Sequence, residues 1–171
     1  MDFRDVICGR ESVRSYDPTR PVDKLVLERI LEAGRVAPSA ANKQPWRFLL
    51  ISSRETLTRL KRCYQRAWFQ DAPHVLVVVG RGSDAWTRQD GYNSVETDVT
   101  IAMDHMILAA ENEGVGTCWV LAYDPAILRS ALGLGPDERV YSITPLGYPR
   151  PGYSRKIKKE RKTLSEVVTY L

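Results

Sequence analysis

The sequence predicts an α+β fold, a sheet covered by helices, and three observations carry that prediction. The run HVLVVVG (74–80) is β-branched and lacks polar alternation, which suits a central strand covered on both faces. Residues 23–37 and 94–113 carry apolar side chains at helical spacing. Helix and strand signals interleave irregularly, without the strict βα alternation of a parallel sheet. With 171 residues and no repeat, linker or low-complexity segment, residues 1–171 form one domain able to bury a core.

Taken in order, DFRDVICGR predicts a short helix with Asp2 as N-cap and Phe3, Val6 and Ile7 on one face. A second helix starts near Asp23, and Val26, Leu27, Ile30, Leu31, Gly34 and Ala37 form its stripe. Pro38 stops it by disfavouring helical angles at Ala37. WRFLLIS (46–52) predicts a strand. Ser52 with Glu55 has the form of a capping box opening a helix with Leu57, Leu60 and Tyr64 inward. Asn93 and Glu96 mark the start of helix 94–113, which is apolar on most sides and so belongs in the core or at a subunit interface; Gly114 ends it. TCWVLA (117–122) predicts a strand, Asp124-Pro125 a helix start, and VYSITPLGY (140–148) a last core strand.

Apolar residues at 43% and charged residues at 27% are ordinary for a globular protein, so composition favours no fibrous or disordered class. The acids and arginines of the N-terminus do not resemble a secretion signal, and no run approaches a membrane span. Cys8, Cys63 and Cys118 are odd in number and widely spaced, which argues against a disulfide framework or zinc site and fits a reducing cytoplasm. His74 and His105 are too isolated for a metal cluster. The net charge of +4 conceals a tail, residues 150–162, with seven basic side chains and one acid. Such a tail suits nucleic acid, a membrane surface or a phosphate-bearing small molecule, and composition does not choose among them.

GRGSDA (80–85) follows a strand with the G-x-G-x-x-A spacing of a dinucleotide loop. That mechanism needs a long helix to follow, and Gly91 interrupts the chain instead, so a strand-ending turn is the better reading. His105 within an apolar helix suggests a hydrogen-bonded core histidine, and Cys118 a small buried side chain. Three polar clusters remain. Arg10, Ser12 and Arg14 alternate along an extended segment and so face one way; two guanidiniums and a hydroxyl suit a phosphate or a heterocycle edge, though a solvated charged turn reads equally well. Pro38, Ser39 and Ala40 are small enough for a flat ring to approach, with Asn42 and Gln44 offering amide donors and acceptors; the alternative is helix termination with Asn42 capping the loop. The third cluster, Lys159 to Lys162, is either a ligand site or a solvated face.

In this order, the stretches GRESVRSYDPTRPV, APSAANKQPWRFLLI, DAPHVLVVVG, TIAMDHMILAAENEGVGTCWVLAYDP, ALGLGPDERVYSITPLGYP and KKERKTLSEVV resemble the nitroreductase family of FMN-dependent oxidoreductases over nearly the whole chain. The resemblance implies a central, mostly antiparallel sheet with helices on both sides, in an intertwined homodimer with FMN at the interface. It implies that Arg10 and Ser12 hold the phosphate, with Lys159 and Arg161 completing that site. Arg14 would approach the N1/O2 edge of the flavin, favouring its anionic reduced form. Pro38, Ser39 and Ala40 would line the ring from the other subunit, with Asn42 touching the cofactor or bracing the loop. Gln65 would lie near the pyrimidine edge, and Trp119, Leu121 and Ala122 would flank the ring, the Leu121 N–H near N5. Hydride would pass from NADH or NADPH to N5 and on to a small acceptor, a nitroaromatic or quinone, by ping-pong kinetics. The implied partners are a second copy and small molecules, with no nucleic acid or membrane.

The chain departs from the family in two places. Residues 81–93 stand where longer members carry helices over the active site, leaving an open pocket or one lidded by Trp68 and Trp86. Trp68 also replaces a lysine that some relatives present to the flavin. A flavin-dependent dehydrogenase or dehalogenase on the same scaffold is the alternative enzyme; a nucleic-acid-binding module using Lys156, Lys158 and Lys159 is the alternative from another class.

Overall fold

The computed structural model describes residues 2–155 and 159–171, and Lys156 and Lys158 of the nucleic-acid reading lie outside them. The elements run α1 (Phe3–Gly9), α2 (Lys24–Arg35), β1 (Trp46–Ile51), α3 (Arg54–Leu60), α4 (Ala67–Asp71), β2 (His74–Arg81), α5 (Val95–Asn112), α6 (Pro125–Leu132), β3 (Glu138–Leu146) and α7 (Leu164–Val167). The three strands form an antiparallel sheet in the order β1-β2-β3.

β2 is buried from His74 to Gly80, as its unbroken apolar run requires. Leu76 and Val78 pack with α2 and α5 on one face. Val75, Val77 and Val79 pack with Leu57, Leu60 and Leu128 on the other. Alternate residues thus serve two cores, and the α+β expectation holds. α2 lies so close to α5 that a Cβ on Gly34 would come within 2.7 Å of Met106.

Local signals hold at most helix ends. Asp23 accepts from the Leu25 N–H and Asp124 from those of Ala126 and Ile127. The α3 cap is a correction: Ser53, not Ser52, accepts from the Thr56 N–H at 3.3 Å. Ser52 is taken by His74, whose Nδ1 lies 2.7 Å from its hydroxyl. His74, rather than His105, is therefore the hydrogen-bonded core histidine; His105 is half-buried and its ring makes no hydrogen bond among the described residues. The turn at Gly82–Asp84 is a short 3-10 helix, which leaves the dinucleotide reading without its long helix.

Residues 117–122 are not a continuous strand, which corrects that expectation. Gly116 bridges Gly147, and Val120 bridges Ile143, both in one antiparallel register with β3. Between them the register pairs position 118 with Pro145, which has no N–H to donate. The Cys118 N–H turns to the Thr144 hydroxyl at 3.1 Å. The ladder therefore breaks in its middle. Beyond it, Ser12 bridges Thr117 in parallel, so the segment after α1 lies against this irregular edge.

Helix α5 buries Val99, Met103, Met106, Ile107 and Ala110, while Ile101, His105 and Leu108 remain half-exposed. On α1 only Val6 is buried; Phe3 and Ile7 are 70% and 47% exposed. Within one chain these helices are thus only half-covered.

Candidate functional site

The backbone after α1 is extended, and its side chains sort as alternation demands: Glu11 and Val13 are buried, while Ser12 and Arg14 face outward. The Val13 N–H donates to the Thr117 carbonyl at 2.8 Å and fixes the segment. Beneath it, the buried Tyr16 hydroxyl donates to the Val13 carbonyl at 2.8 Å, and burial holds its pKa well above the ordinary value. The Tyr153 hydroxyl donates to Glu11 at 2.9 Å; burial and that carboxylate push its pKa up to about 12, so it stays a donor. Arg10 and Arg14 have no carboxylate partner among the described residues; the Arg14 guanidinium instead lies 6.0 Å from the Trp68 ring. Two cations thus stand on an extended segment with no carboxylate partner among the described residues.

Lys159 comes to the same place. Its Nζ donates to the carbonyls of Cys8, Gly9 and Arg10 at 2.6, 2.9 and 2.5 Å. Arg155 pairs with the buried Glu111 and donates to the Gly9 carbonyl at 3.3 Å. Arg150 pairs with Asp71 at 2.9 Å. Arg150, Arg155 and Lys159 are therefore tied to the fold by their side chains, whereas Glu160, Arg161 and Lys162 are exposed, as a solvated face would be. Arg161 is exposed and donates to the Glu160 carbonyl.

The loop after α2 is built differently. Pro38 is exposed and Ser39 and Ala40 half-exposed. Ala41, Asn42 and Gln44 take φ of 49°, 54° and 49°, a left-handed region costly for residues with a Cβ. Hydrogen bonds hold that backbone. The Ala40 N–H donates to the buried Asp98 at 2.9 Å, and Ser94 holds the other carboxylate oxygen at 2.7 Å. The Gln44 N–H donates to the Ser39 hydroxyl, and its side chain to the Asn42 carbonyl and amide oxygens. Asn42 thus braces the loop within the chain.

The loop and the Arg10–Arg14 segment are anchored at opposite ends of α5. Asp98 and Glu111, which anchor the loop and the 8–10 backbone, are separated on α5 by about 20 Å at ~1.5 Å per residue. β2 measures the same gap independently. The Arg81 N–H at its end donates to the loop's Pro45 carbonyl, while Tyr16 packs beside Pro73 and Gly147 at its start. Those ends are about 23 Å apart at ~3.3 Å per residue.

Trp68 and Trp86 are divided the same way. Trp68 packs on Tyr16, Tyr64 and Phe69 beside Arg14, whereas the Trp86 carbonyl accepts from the Ser94 N–H at the loop end. One chain cannot close both over one pocket. Gln65 is exposed beside the Arg14–Trp68 end, lining a cavity of about 400 Å³ with Lys61, Arg62 and Gln70. Trp119 is half-buried against the α2/α5 core, and Leu121 and Ala122 are exposed just past the Val120 bridge. Cys118 is buried, as expected of a packing residue. No cluster of metal-ligating side chains occurs among the described residues, and none of their helices is long and apolar enough to cross a membrane.

The nitroreductase family profile matches residues 7–65 and 58–148, most of the chain. The chain belongs to the nitroreductase family. It is an oxidoreductase by that membership. An Archaeoglobus fulgidus protein whose name pairs NADH dehydrogenase with NAD(P)H nitroreductase is 30% identical over 149 residues, covering 85% of this chain and 84% of its own. An iodotyrosine deiodinase of Thermotoga neapolitana is 26% identical, covering 88% and 92%. The crystal structure of a nitroreductase family protein from Clostridium difficile 630 superposes with a TM-score of 0.90 at 32% identity, covering 99% and 98%. A Bacteroides fragilis nitroreductase solved with bound FMN shares the fold, with a TM-score of 0.74 at 23% identity over 100% and 99%.

For this nitroreductase-family chain, sequence reasoning missed the supports of the site. Asp98 and Glu111 look like ordinary polar residues of an apolar helix, yet they are 1% and 4% exposed. A helix apolar on most sides offers a signal for them: a carboxylate on its buried face needs a specific partner.

Proposed function

We propose that the chain is an FMN-dependent NAD(P)H oxidoreductase working as a homodimer, each site built from the Arg10–Arg14 segment of one subunit and the Pro38–Ala40 loop of the other. The observation that carries this is the gap of about 20 Å between two preformed halves within one chain. No single ring system spans it, whereas a two-fold related copy can bring the loop of one chain to the cations of the next. The exposed Phe3 and Ile7 and the half-exposed Ile101 and Leu108 are in keeping with such an interface. Three free cysteines are in keeping with the cytoplasm.

The residues present fit FMN. Arg10 and Ser12 offer a cation and a hydroxyl to a phosphate. Arg14 offers positive charge where negative charge develops on reduction. The small side chains of 38–40 allow a flat ring to approach. Leu121, beyond the break in the edge, offers a main-chain N–H. When bound, FMN supplies the redox chemistry, accepting hydride at N5 from a nicotinamide and delivering electrons to a nitroaromatic, quinone or similar acceptor. The protein binds, orients and sets charge; no side-chain acid or base is assigned.

The purified protein is expected to be yellow, or to become so with added FMN, and to bleach anaerobically with NADH or NADPH. A colourless protein that takes up no FMN overturns this reading. The deiodinase relative supports a second reading, reductive dehalogenation on the same scaffold. Iodide release from iodotyrosine by the reduced protein, with no nitroaromatic turnover, would favour it.

A further inference from the structure

We propose that Arg62 selects NADPH over NADH by meeting the 2′-phosphate of its adenosine half. The proposal rests on the FMN reading for the reaction and goes beyond it in naming the electron donor. Residues 54–66 carry five basic side chains and one acid, and the FMN reading uses none of those cations. The acid, Glu55, pairs with Arg59 at 3.7 Å. Arg62 is exposed, and among the described residues its guanidinium makes no hydrogen bond or ion pair. The backbone beneath it is braced. Residues Lys61–Cys63 form a 3-10 turn. The Lys61 Nζ donates to the carbonyls of Gln70 and Ala72, both at 2.7 Å. In return the Gln70 side-chain amide donates to the carbonyls of Lys61 and Tyr64 at 3.1 and 3.0 Å.

Arg62 lines the cavity of about 400 Å³ that Gln65 and Lys61 also line, and none of its lining residues carries a carboxylate. Lys61 keeps one N–H beyond the two it spends on carbonyls. An anion in this cavity therefore meets donors and no competing acid. The cavity also stands beside the proposed ring site. Tyr64, next to Gln65, packs edge-on against Trp68 with ring centroids 5.6 Å apart, and the Arg14 guanidinium lies 6.0 Å from the Trp68 ring. NADH and NADPH share the nicotinamide that must reach the flavin and differ by one phosphate on the adenosine half. A cation set beside the ring site, rather than inside it, is placed where the two donors differ. The guanidinium fork suits a phosphate.

Wild type, Arg62→Met, Arg62→Lys and Arg59→Met, each loaded with FMN, are assayed with both nicotinamides and a quinone acceptor. The readout is the ratio of kcat/KM for NADPH to that for NADH. Calorimetry of AMP and 2′-phospho-AMP on the same proteins reads the phosphate preference without any reaction. The wild type should favour NADPH by about tenfold, the size of one charge-assisted contact, and the preference should shrink as salt is raised. It should also bind 2′-phospho-AMP more tightly than AMP. Arg62→Met should bring both preferences close to unity, and Arg62→Lys should keep part of each. Arg59→Met removes an equal charge nearby and should leave both preferences within about twofold of wild type, as a screened surface charge does. The proposal is overturned if the wild type does not favour NADPH, or if Arg59→Met lowers the ratio as far as Arg62→Met. Equal losses with NADH and NADPH in Arg62→Met also overturn it, because Arg62 would then meet a group that the two share. If neither nicotinamide reduces the protein, the FMN reading falls, and the calorimetry alone decides whether Arg62 holds the phosphate.

Discussion

At the N-terminal end of α5 the 38–44 loop is held from within: a buried carboxylate, Asp98, receives the Ala40 N–H, and three left-handed residues follow. At the C-terminal end the 8–14 segment is held from outside. Cations of the distant tail, Arg155 and Lys159, reach across to its carbonyls, and an irregular sheet edge carries the rest. The first half offers small side chains and backbone; the second offers unneutralised cations. On the proposed FMN reading, ring and phosphate use those two kinds of wall, and one chain anchors them at opposite ends of α5.

The strongest way to break this comparison is to damage one half in each of two variants and coexpress them. Ala40→Trp obstructs the loop, and a double Arg10→Ala, Arg14→Ala variant strips the cations. Alone, each should bind little FMN. Coexpressed in equal amounts, they should recover about a quarter of the sites, since half the dimers are mixed and each mixed dimer has one undamaged site. No recovery from a mixture shown to contain mixed dimers would place both halves of a site on one chain.

A smaller effect separates the two anchoring modes. Asp98→Ala removes two bonds to a buried carboxylate and should cost roughly 3 kcal/mol of stability, with loss of flavin affinity. Asp98→Asn keeps an acceptor for the Ala40 N–H and should retain most of both. Urea melts with flavin titrations read this directly. An Asp98→Ala protein as stable as wild type, with unaltered FMN affinity, would remove Asp98 as the loop's support.

The smallest expected effect lies outside both halves. The His74 Nε2 accepts from the Val22 N–H at 3.1 Å, so the proton sits on Nδ1 and is donated to Ser52. Burial, then the charge of Lys61, lowers its pKa from the usual histidine value. The unfolded chain therefore binds the proton more readily, and stability should fall as pH drops below about 6.5 toward the lowered native value. His74→Gln should flatten that part of the profile of Tm against pH. An unchanged slope would assign the acid sensitivity elsewhere.

The sequence by itself determined the elements whose signals are local. Asp23 and Asp124 cap helices through their own backbone neighbours, Pro38 follows the end of α2, and the unbroken run of β2 demanded cover on both faces. The alternation of Arg10, Ser12 and Arg14 was also legible, because strand geometry turns every second side chain the same way. The tertiary structure decided what depends on residues far apart in the chain. Pro145 breaks the strand expected at 117–122 from across the sheet, and His74 claims Ser52, leaving the α3 cap to Ser53. Asp98 finds the Ala40 N–H 58 positions away, and Lys159 the carbonyls of Cys8 to Arg10. Sequence spacing carries no measure of such distances, so the separation of the 38–40 loop from the 10–14 segment emerged only when α5 and β2 were folded between them.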